Sequence, residues 1–374
     1  MENSKLIKAT AITPIHVGAG QEKKLIPGVD YLYRDDGKKV IIIDQSRVFK
    51  LLPEEDKNLF ISFLSAGTPV KFFENRKILK EEILNLAAIS EIPSPSGPVN
   101  EEILPMISTA GENGRQVYIP GSSIKGSIRS VIYAWLKNKY KVRDERDAFG
   151  EISNNLMSFI HITDAFFKES RISKTKLFNL ALINNEWTAG WANARKETST
   201  NFNATGFLTI LETITPTATS SFILKINNQR FDYLKQKKAT LQGRIDFFND
   251  LTIEKIFNII NWHSKRYLEA ELDFFNHYDN GSEHSAGVIS GINKLIKSIP
   301  SDNNRCLLHL GFGSGFHGIT GDWQYPGDHI NTGSGRRLKY KSRRLFFRTV
   351  KINGKDSKIT KTEFNPLGFL LLEI

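Results

Sequence analysis

Residues 5 to 17 place threonines between short-period apolar positions and stop at Gly18 and Gly20, a pattern that predicts a strand running into a glycine turn. Lys38 to Asp44 reads as a second strand, and Asp35, Asp36 and Gly37 before it as a hairpin turn. Residues 46 to 90 carry mostly helical spacing. Between Ile92 and Arg115 four prolines mix with Ser, Gly and Asn, which predicts a long loop or insertion. In Val117 to Tyr140 a short strand reaches Pro120 and Gly121. There Ile124, Ile128, Val131, Ile132, Trp135 and Leu136 fall on one face of an α-helix. Ser122 or Ser123 is placed to cap that helix.

The second half repeats the mixture. Residues 207 to 226 alternate threonine with apolar side chains around Pro216, as two strands and a turn do. Ile253 to Tyr278 reads as a long amphipathic helix with Ile256, Phe257, Ile260, Tyr267, Leu268 and Phe275 on its apolar side. A strand at Cys306 runs into Gly311, Gly313, Gly315 and Gly318, residues 322 to 335 are turn-rich, and the C-terminal FLLLEI reads as a buried strand. The pattern is α+β in both halves, with expected domains at 1–200, carrying the Pro-rich insertion near 92–115, and at 201–374.

Composition narrows the function classes. Over 374 residues, 40% hydrophobic and 24% charged is ordinary globular usage, which argues against a disordered chain. No apolar run approaches the roughly 18 residues of a membrane span, and no secretory leader is visible at the start, so a cytoplasmic, membrane-free protein is expected. Cys306 is the single cysteine, which excludes an internal disulfide and a multi-cysteine zinc site. The net charge of +11 points to a polyanionic partner. It is most concentrated between Arg336 and Arg348, where Arg336, Arg337, Lys339, Lys341, Arg343, Arg344 and Arg348 interleave with Tyr340, Phe346 and Phe347. Cations beside rings suit single-stranded nucleic acid. The competing reading makes the rings the buried face of a strand and the cations its solvated face.

A second candidate is the start of the 117–140 helix. Glycine precedes it, Lys125 lies in its first turn and Arg129 one turn later, so backbone N–H groups, the helix dipole and two cations converge on a prospective anion site. The alternative is a plain capped helix. The spacing of Gly313, Gly315 and Gly318 matches a dinucleotide fingerprint, but the residues after Gly318 break a helix rather than build one, and no phosphate-binding P-loop occurs. The histidines show no metal-ligand spacing, so no metal or cofactor is expected. His16, at the end of the first strand, lacks an identifiable partner for general-base chemistry, and a structural or RNA-contacting role fits it better.

Three segments together, TPIHVGAG at 13–20, YIPGSSIKGSIRS at 118–130 and LHLGFGSG at 308–315, resemble the RAMP superfamily of CRISPR-associated RNA-binding proteins. Within it they most resemble the fifth subunits of type III-A Csm effector complexes. The matching segments cover about a tenth of the chain but are spread along nearly all of it. The resemblance implies two tandem ferredoxin-like, RRM-like modules with helical and loop insertions. It implies RNA contacts at His16, Gly18 and Gly20, at Gly121, Ser122, Ser123, Lys125, Gly126 and Arg129, and at Gly311, Gly313, Ser314 and Gly315. Arg336, Arg337, Tyr340, Lys341, Arg343 and Arg344 join them from the basic segment. The implied partners are guide RNA and the other Csm subunits, above all the backbone RAMP subunit, with host ribonucleases as a further class. The implied role is noncatalytic: capping the 3′-end side of the guide RNA filament and taking part in guide maturation for antiviral defence. Two alternatives stand beside it. Asp30 sits roughly where sibling backbone subunits carry a catalytic aspartate, which would make the chain a metal-dependent endoribonuclease, or Asp30 is a turn residue. A protein-only scaffold is the third reading.

Overall fold

A computed structural model describes residues 3–20, 23–34, 37–98, 101–111, 114–151, 154–183, 186–192, 198–199, 202–204, 206–236, 244–277, 283–314, 329–330, 339–340, 343–353 and 358–374. The chain opens with β1 (Asn3–Ala11) and continues through β2 (Tyr31–Arg34) and β3 (Lys39–Ile43) to four short helices, α1 (Gln45–Leu51), α2 (Glu54–Ser65), α3 (Pro69–Glu74) and α4 (Lys77–Leu86). Then come β4 (Ala88–Pro93), β5 (Ile103–Leu104), β6 (Ser108–Gly111) and β7 (Gly114–Ile119), followed by the long α5 (Gly121–Tyr140) and α6 (Glu145–Phe149). Strands β8 (Ile160–Ile162), β9 (Ala165–Phe167), β10 (Ser170–Ile183), β11 (Glu186–Ala192), β12 (Thr198–Ser199), β13 (Thr209–Ile214) and β14 (Thr219–Ile226) lead to α7 (Asn228–Gln236), α8 (Ile245–Asn249), α9 (Ile253–His277) and α10 (Glu283–Lys297). The chain ends with β15 (Arg305–His309), the pair β16 (His329–Ile330) and β17 (Lys339–Tyr340), the hairpin β18 (Arg343–Asn353) and β19 (Lys358–Pro366), and β20 (Phe369–Glu373).

The central sheet runs β15-β20-β1-β14-β8 and is antiparallel throughout. Its inward side, including Ile7, Ala9, Ala11, Leu224, Leu370 and Leu372, packs on the apolar faces of α5 and the first half of α9. The expected helical face of α5 is buried at Ile124, Ile128, Val131, Ile132 and Leu136. Four of these strands, β20-β1-β14-β8, with α5 leading into β8 and α9 between β14 and β20, have the connectivity of one ferredoxin-like unit. The sheet draws β1 from the first half of the chain and β14, β15 and β20 from the second. Strands thus cross the boundary expected near residue 200: β1 needs partners on both edges, and it finds them at Thr219–Ile226 and at the C-terminal strand.

The second large sheet centres on β10, which pairs with β13, β11 and β18. The Pro-rich stretch is not a free loop. Ile103 and Leu104 pair in parallel with β13, and β6 and β7 form a hairpin, because backbone groups buried there require partners. Residues 31–93 form a satellite, β2-β3-β4 backed by α1 to α4, with its own core of Phe60, Phe72, Phe73 and Ile83.

The basic, aromatic segment resolves differently from its expectation where it is described. Leu345, Phe346 and Phe347 are all buried, so those rings are core rather than stacking surfaces. Arg343 is 3% exposed, pairs with the equally buried Glu271 at 3.1 Å, and lies over the Phe274 ring at 3.2 Å. It belongs to the interior because its alternate-facing position on β18 points at α9. Arg348 pairs with Glu363 at 2.6 Å. Arg336, Arg337 and Lys341 lie outside the described residues, as does the side chain of Tyr340. Arg343→Ala leaves Glu271 as an uncompensated buried charge, and a loss of roughly 3–5 kcal/mol is expected in denaturant titration.

Candidate nucleic-acid interface

After β1 the chain does not turn away. Ile15 bridges to Ile214 at the end of β13 and Gly18 bridges to Met106, so the segment 13–20 lies across both large sheets. Within it His16 is 2% exposed. Its Nδ1–H donates to the Glu212 carbonyl at 2.7 Å, and burial, reinforced by the nearby Arg344, holds its pKa below the ordinary value despite the opposing pull of Glu212. The ring is therefore neutral near pH 7, with Nε2 turned toward Gly18.

Glu212 is completely buried, and every contact it makes fixes something. Its carboxylate takes both ends of the Arg115 guanidinium at 2.6 Å, the Met106 N–H at 2.9 Å and the Ser170 hydroxyl at 2.7 Å. A bidentate, fully hydrogen-bonded pair is the form in which a buried charge can persist. Nothing in the sequence singled this residue out. Its only signal is a single acid in a strand of threonines and aliphatic residues.

The late glycine loop meets the same segment. The Phe312 N–H donates to the His16 carbonyl at 2.8 Å, and the two rings meet edge-on at 5.6 Å. Gly311 has φ of 89°, and a Cβ there would lie 2.6 Å from the His16 oxygen, so only glycine allows the approach. Gly313 has φ of 81°, a conformation that favours glycine, and a Cβ there would crowd the tip of the Leu367 side chain at 2.8 Å. Ser314 is buried, and its carbonyl accepts from the Tyr267 hydroxyl. Phe312 itself stands 41% exposed with the Arg344 guanidinium 5.1 Å from its ring centre. Burial lowers the Arg344 pKa to about 10, which leaves it charged. Phe312 is the exposed side chain that sequence reasoning missed, although an aromatic between two glycines was visible there. Gly315 lies outside the described residues.

The third segment joins through α5. Its Ser127 hydroxyl donates to the His309 carbonyl at 2.6 Å, one residue before the glycine loop begins. The helix start differs from expectation. Pro120 is the N-cap residue without a side-chain cap bond, and Ser122 and Ser123 do not cap. Asp164 accepts the Gly121 N–H at 2.7 Å instead and occupies the positive end of the dipole. A Cβ at Gly121 would stand 2.2 Å from the Ile162 oxygen, which explains the glycine. Arg129 does not converge with Lys125: it pairs with Glu145 at 2.8 Å and lies over Phe149. Lys125, half-buried with its pKa lowered by burial, acts instead with Lys225 on the His161 imidazole, whose pKa is lowered by burial and by these two charges. Gly126 faces open space. Asp30 accepts the Ile26 N–H at 2.7 Å and the Gln45 amide at 2.5 Å, as a turn carboxylate does.

Comparison with known proteins places these features in context. The family model described as the RAMP superfamily matches residues 8–318. A Methanocaldococcus jannaschii protein described as "CRISPR system Cms protein Csm5" is 27% identical over 330 residues, covering 83% of this chain and 71% of that protein. Among solved structures, a chain in the cryo-EM structure of a Csm–crRNA–target RNA ternary complex of a type III-A CRISPR-Cas system aligns over 100% of both chains with TM-score 0.64 and 17% identity. The crystal structure of T. onnurineus Csm5 aligns over 82% of this chain and 90% of that one, with TM-score 0.54 and 15% identity. Among the described residues no helix is long and apolar enough to cross a membrane.

Two measurements test this geometry. Gly121→Ala is expected to cost roughly 2–3 kcal/mol through overpacking, whereas Gly126→Ala, unobstructed in a helix, is expected to gain up to about 1 kcal/mol. The second concerns His309, fully buried between Tyr267 and Phe369, with burial lowering its pKa to about 3. Its folded value lies below the unfolded one, so the stability from its neutral form is complete above about pH 6.5 and falls as pH drops. By pH 5 the loss is about 2 kcal/mol. Melting between pH 7 and pH 5 should show it, with a shallower slope in His309→Gln.

Proposed function

The chain belongs to the RAMP superfamily, and on that premise we propose that it is the Csm5-like subunit of a type III-A effector complex, binding guide RNA without cutting it. The observation that carries the reading is the meeting of the three RAMP-like segments through His16, Ser127 and His309, with Phe312 exposed above them beside a charged Arg344. An exposed ring with a cation over it, set in a glycine loop, suits an unstacked base followed by a phosphate. The contacts described at this junction read backbone and ring faces rather than base edges, as befits a guide whose sequence is arbitrary and is read by pairing.

Position at the 3′-end side of the guide filament and participation in guide maturation complete the proposal. Neighbouring Csm subunits are its protein partners, with the backbone RAMP subunit first among them. The outer face of the central sheet supports an assembled state, since Leu6 and Ile223 oppose one another there at 67% and 44% exposure. The noncatalytic reading is favoured by Asp30, whose two carboxylate oxygens are both engaged in holding its turn.

The test is fluorescence anisotropy with single-stranded RNA. Phe312→Ala is expected to weaken binding by about 1–3 kcal/mol, the worth of one stacked base. Arg344→Gln should weaken it as well, and reduce the salt slope by about one. Unchanged affinity in both variants would remove the glycine junction from the RNA path.

A further inference from the structure

A second concave site lies away from the glycine junction. It is a cleft of about 570 Å³ between the end of β4, strand β7 and the turn from β9 into β10. That volume falls within the range of small-molecule sites. Lys38, Arg115, Lys168 and Arg171 line it, against Glu91 and Glu169.

The charges there do not cancel. Arg115 is neutralised from behind by Glu212 at 2.6 Å, and Glu91 is drawn off by Lys39 at 2.7 Å. The balance is Lys38, Lys168 and Arg171 facing Glu169, and among the described residues none of these three cations has an ion-pair partner. Arg171 is the most telling. Its guanidinium lies over the Phe346 ring at 5.3 Å, and its Nε is buried without a hydrogen-bond partner. Burial and the neighbouring Arg348 both act against its charge. A half-buried guanidinium near a second cation, with no acid in ion-pair contact with it among the described residues, is an unfavourable arrangement that an anion would relieve. Pro93, Pro95 and Val117 supply an apolar wall in the same cleft, and Ser90 and Thr215 supply hydroxyl groups.

We propose that this cleft binds a nucleoside monophosphate unit, with Arg171 and Lys168 on the phosphate and the proline wall against the sugar and base. A phosphate monoester carries about −1.5 to −2 charges near neutral pH, which complements three cations opposed by one carboxylate. The unit is either a free nucleotide or one nucleotide of an RNA strand. The proposal is independent of the RNA reading, because a free nucleotide satisfies it.

The test is isothermal titration of the full chain with uridine 5′-monophosphate, uridine, and 5′-phosphorylated pentauridylate. The monophosphate should bind and uridine should not. Arg171→Gln should weaken the monophosphate at least tenfold and Lys168→Gln several-fold, with Arg171→Lys intermediate and all three variants melting like the parent chain. If only the pentanucleotide binds and Arg171→Gln weakens it tenfold, the site stands and its source is a strand. Equal affinity of parent and Arg171→Gln for both phosphorylated probes would overturn the site. If the monophosphate does not bind, and pentanucleotide binding is lost in Phe312→Ala but not in Arg171→Gln, the cleft is overturned while the glycine junction stands.

Discussion

Everything near the glycine junction depends on one buried carboxylate. Glu212 sits on β13 at zero exposure, holds Arg115 from β7, the Met106 backbone and Ser170 from β10, and through its own carbonyl orients His16. Removing a charge of this kind costs more than its pair contributes, because the partner and the further donors would be left unsatisfied in the interior. The consequence is positional. With His16 fixed, its carbonyl is fixed, and that carbonyl is the acceptor on which the Phe312 N–H and the whole approach of the glycine loop depend.

The three RAMP-like segments are therefore of different kinds. The first is a structural seam, since Thr13 and His16 are buried, the Thr13 hydroxyl accepting the Phe369 N–H and the His16 Nδ1–H donating to the Glu212 carbonyl. The second is a packed helix start whose glycine is demanded by Ile162 and whose N–H is met by Asp164. The third presents a ring to solvent. Of the residues that carry the family resemblance, most build the platform, and the exposed contact is the one they carry. This division gives the buried His16 a positional role: its neutral imidazole, held by the Glu212 carbonyl, sets the geometry of the segment that the glycine loop meets.

Legibility in the sequence followed the physics. The apolar faces of α5 and α9 were readable because a helix buried on one side repeats every three to four residues, and of the hydrophobic positions expected for them all but the partly buried Trp135 are buried. The strand at 39–43 was readable by its unbroken apolar run. The Pro-rich stretch was misleading because proline density signals loops, while Ile103 and Leu104 are committed by long-range pairing with β13 that no local window contains. Arg343 and Arg344 are adjacent and chemically alike, yet strand alternation sends one to Glu271 in the core and leaves the other beside Phe312. Charge counting could not separate them. Glu212 was invisible for the same reason: its partners lie 42 to 106 positions away along the chain.

The most direct test of this account is photo-crosslinking of a short single-stranded RNA to the purified chain, followed by mass-spectrometric mapping of the modified peptides. The platform predicts crosslinks in the peptide containing Phe312, lost in Gly311→Val, where the loop can no longer reach the His16 carbonyl. Crosslinks that leave this peptide untouched, or that survive Gly311→Val unchanged, would contradict the claim that the buried Glu212 assembly holds the loop against RNA.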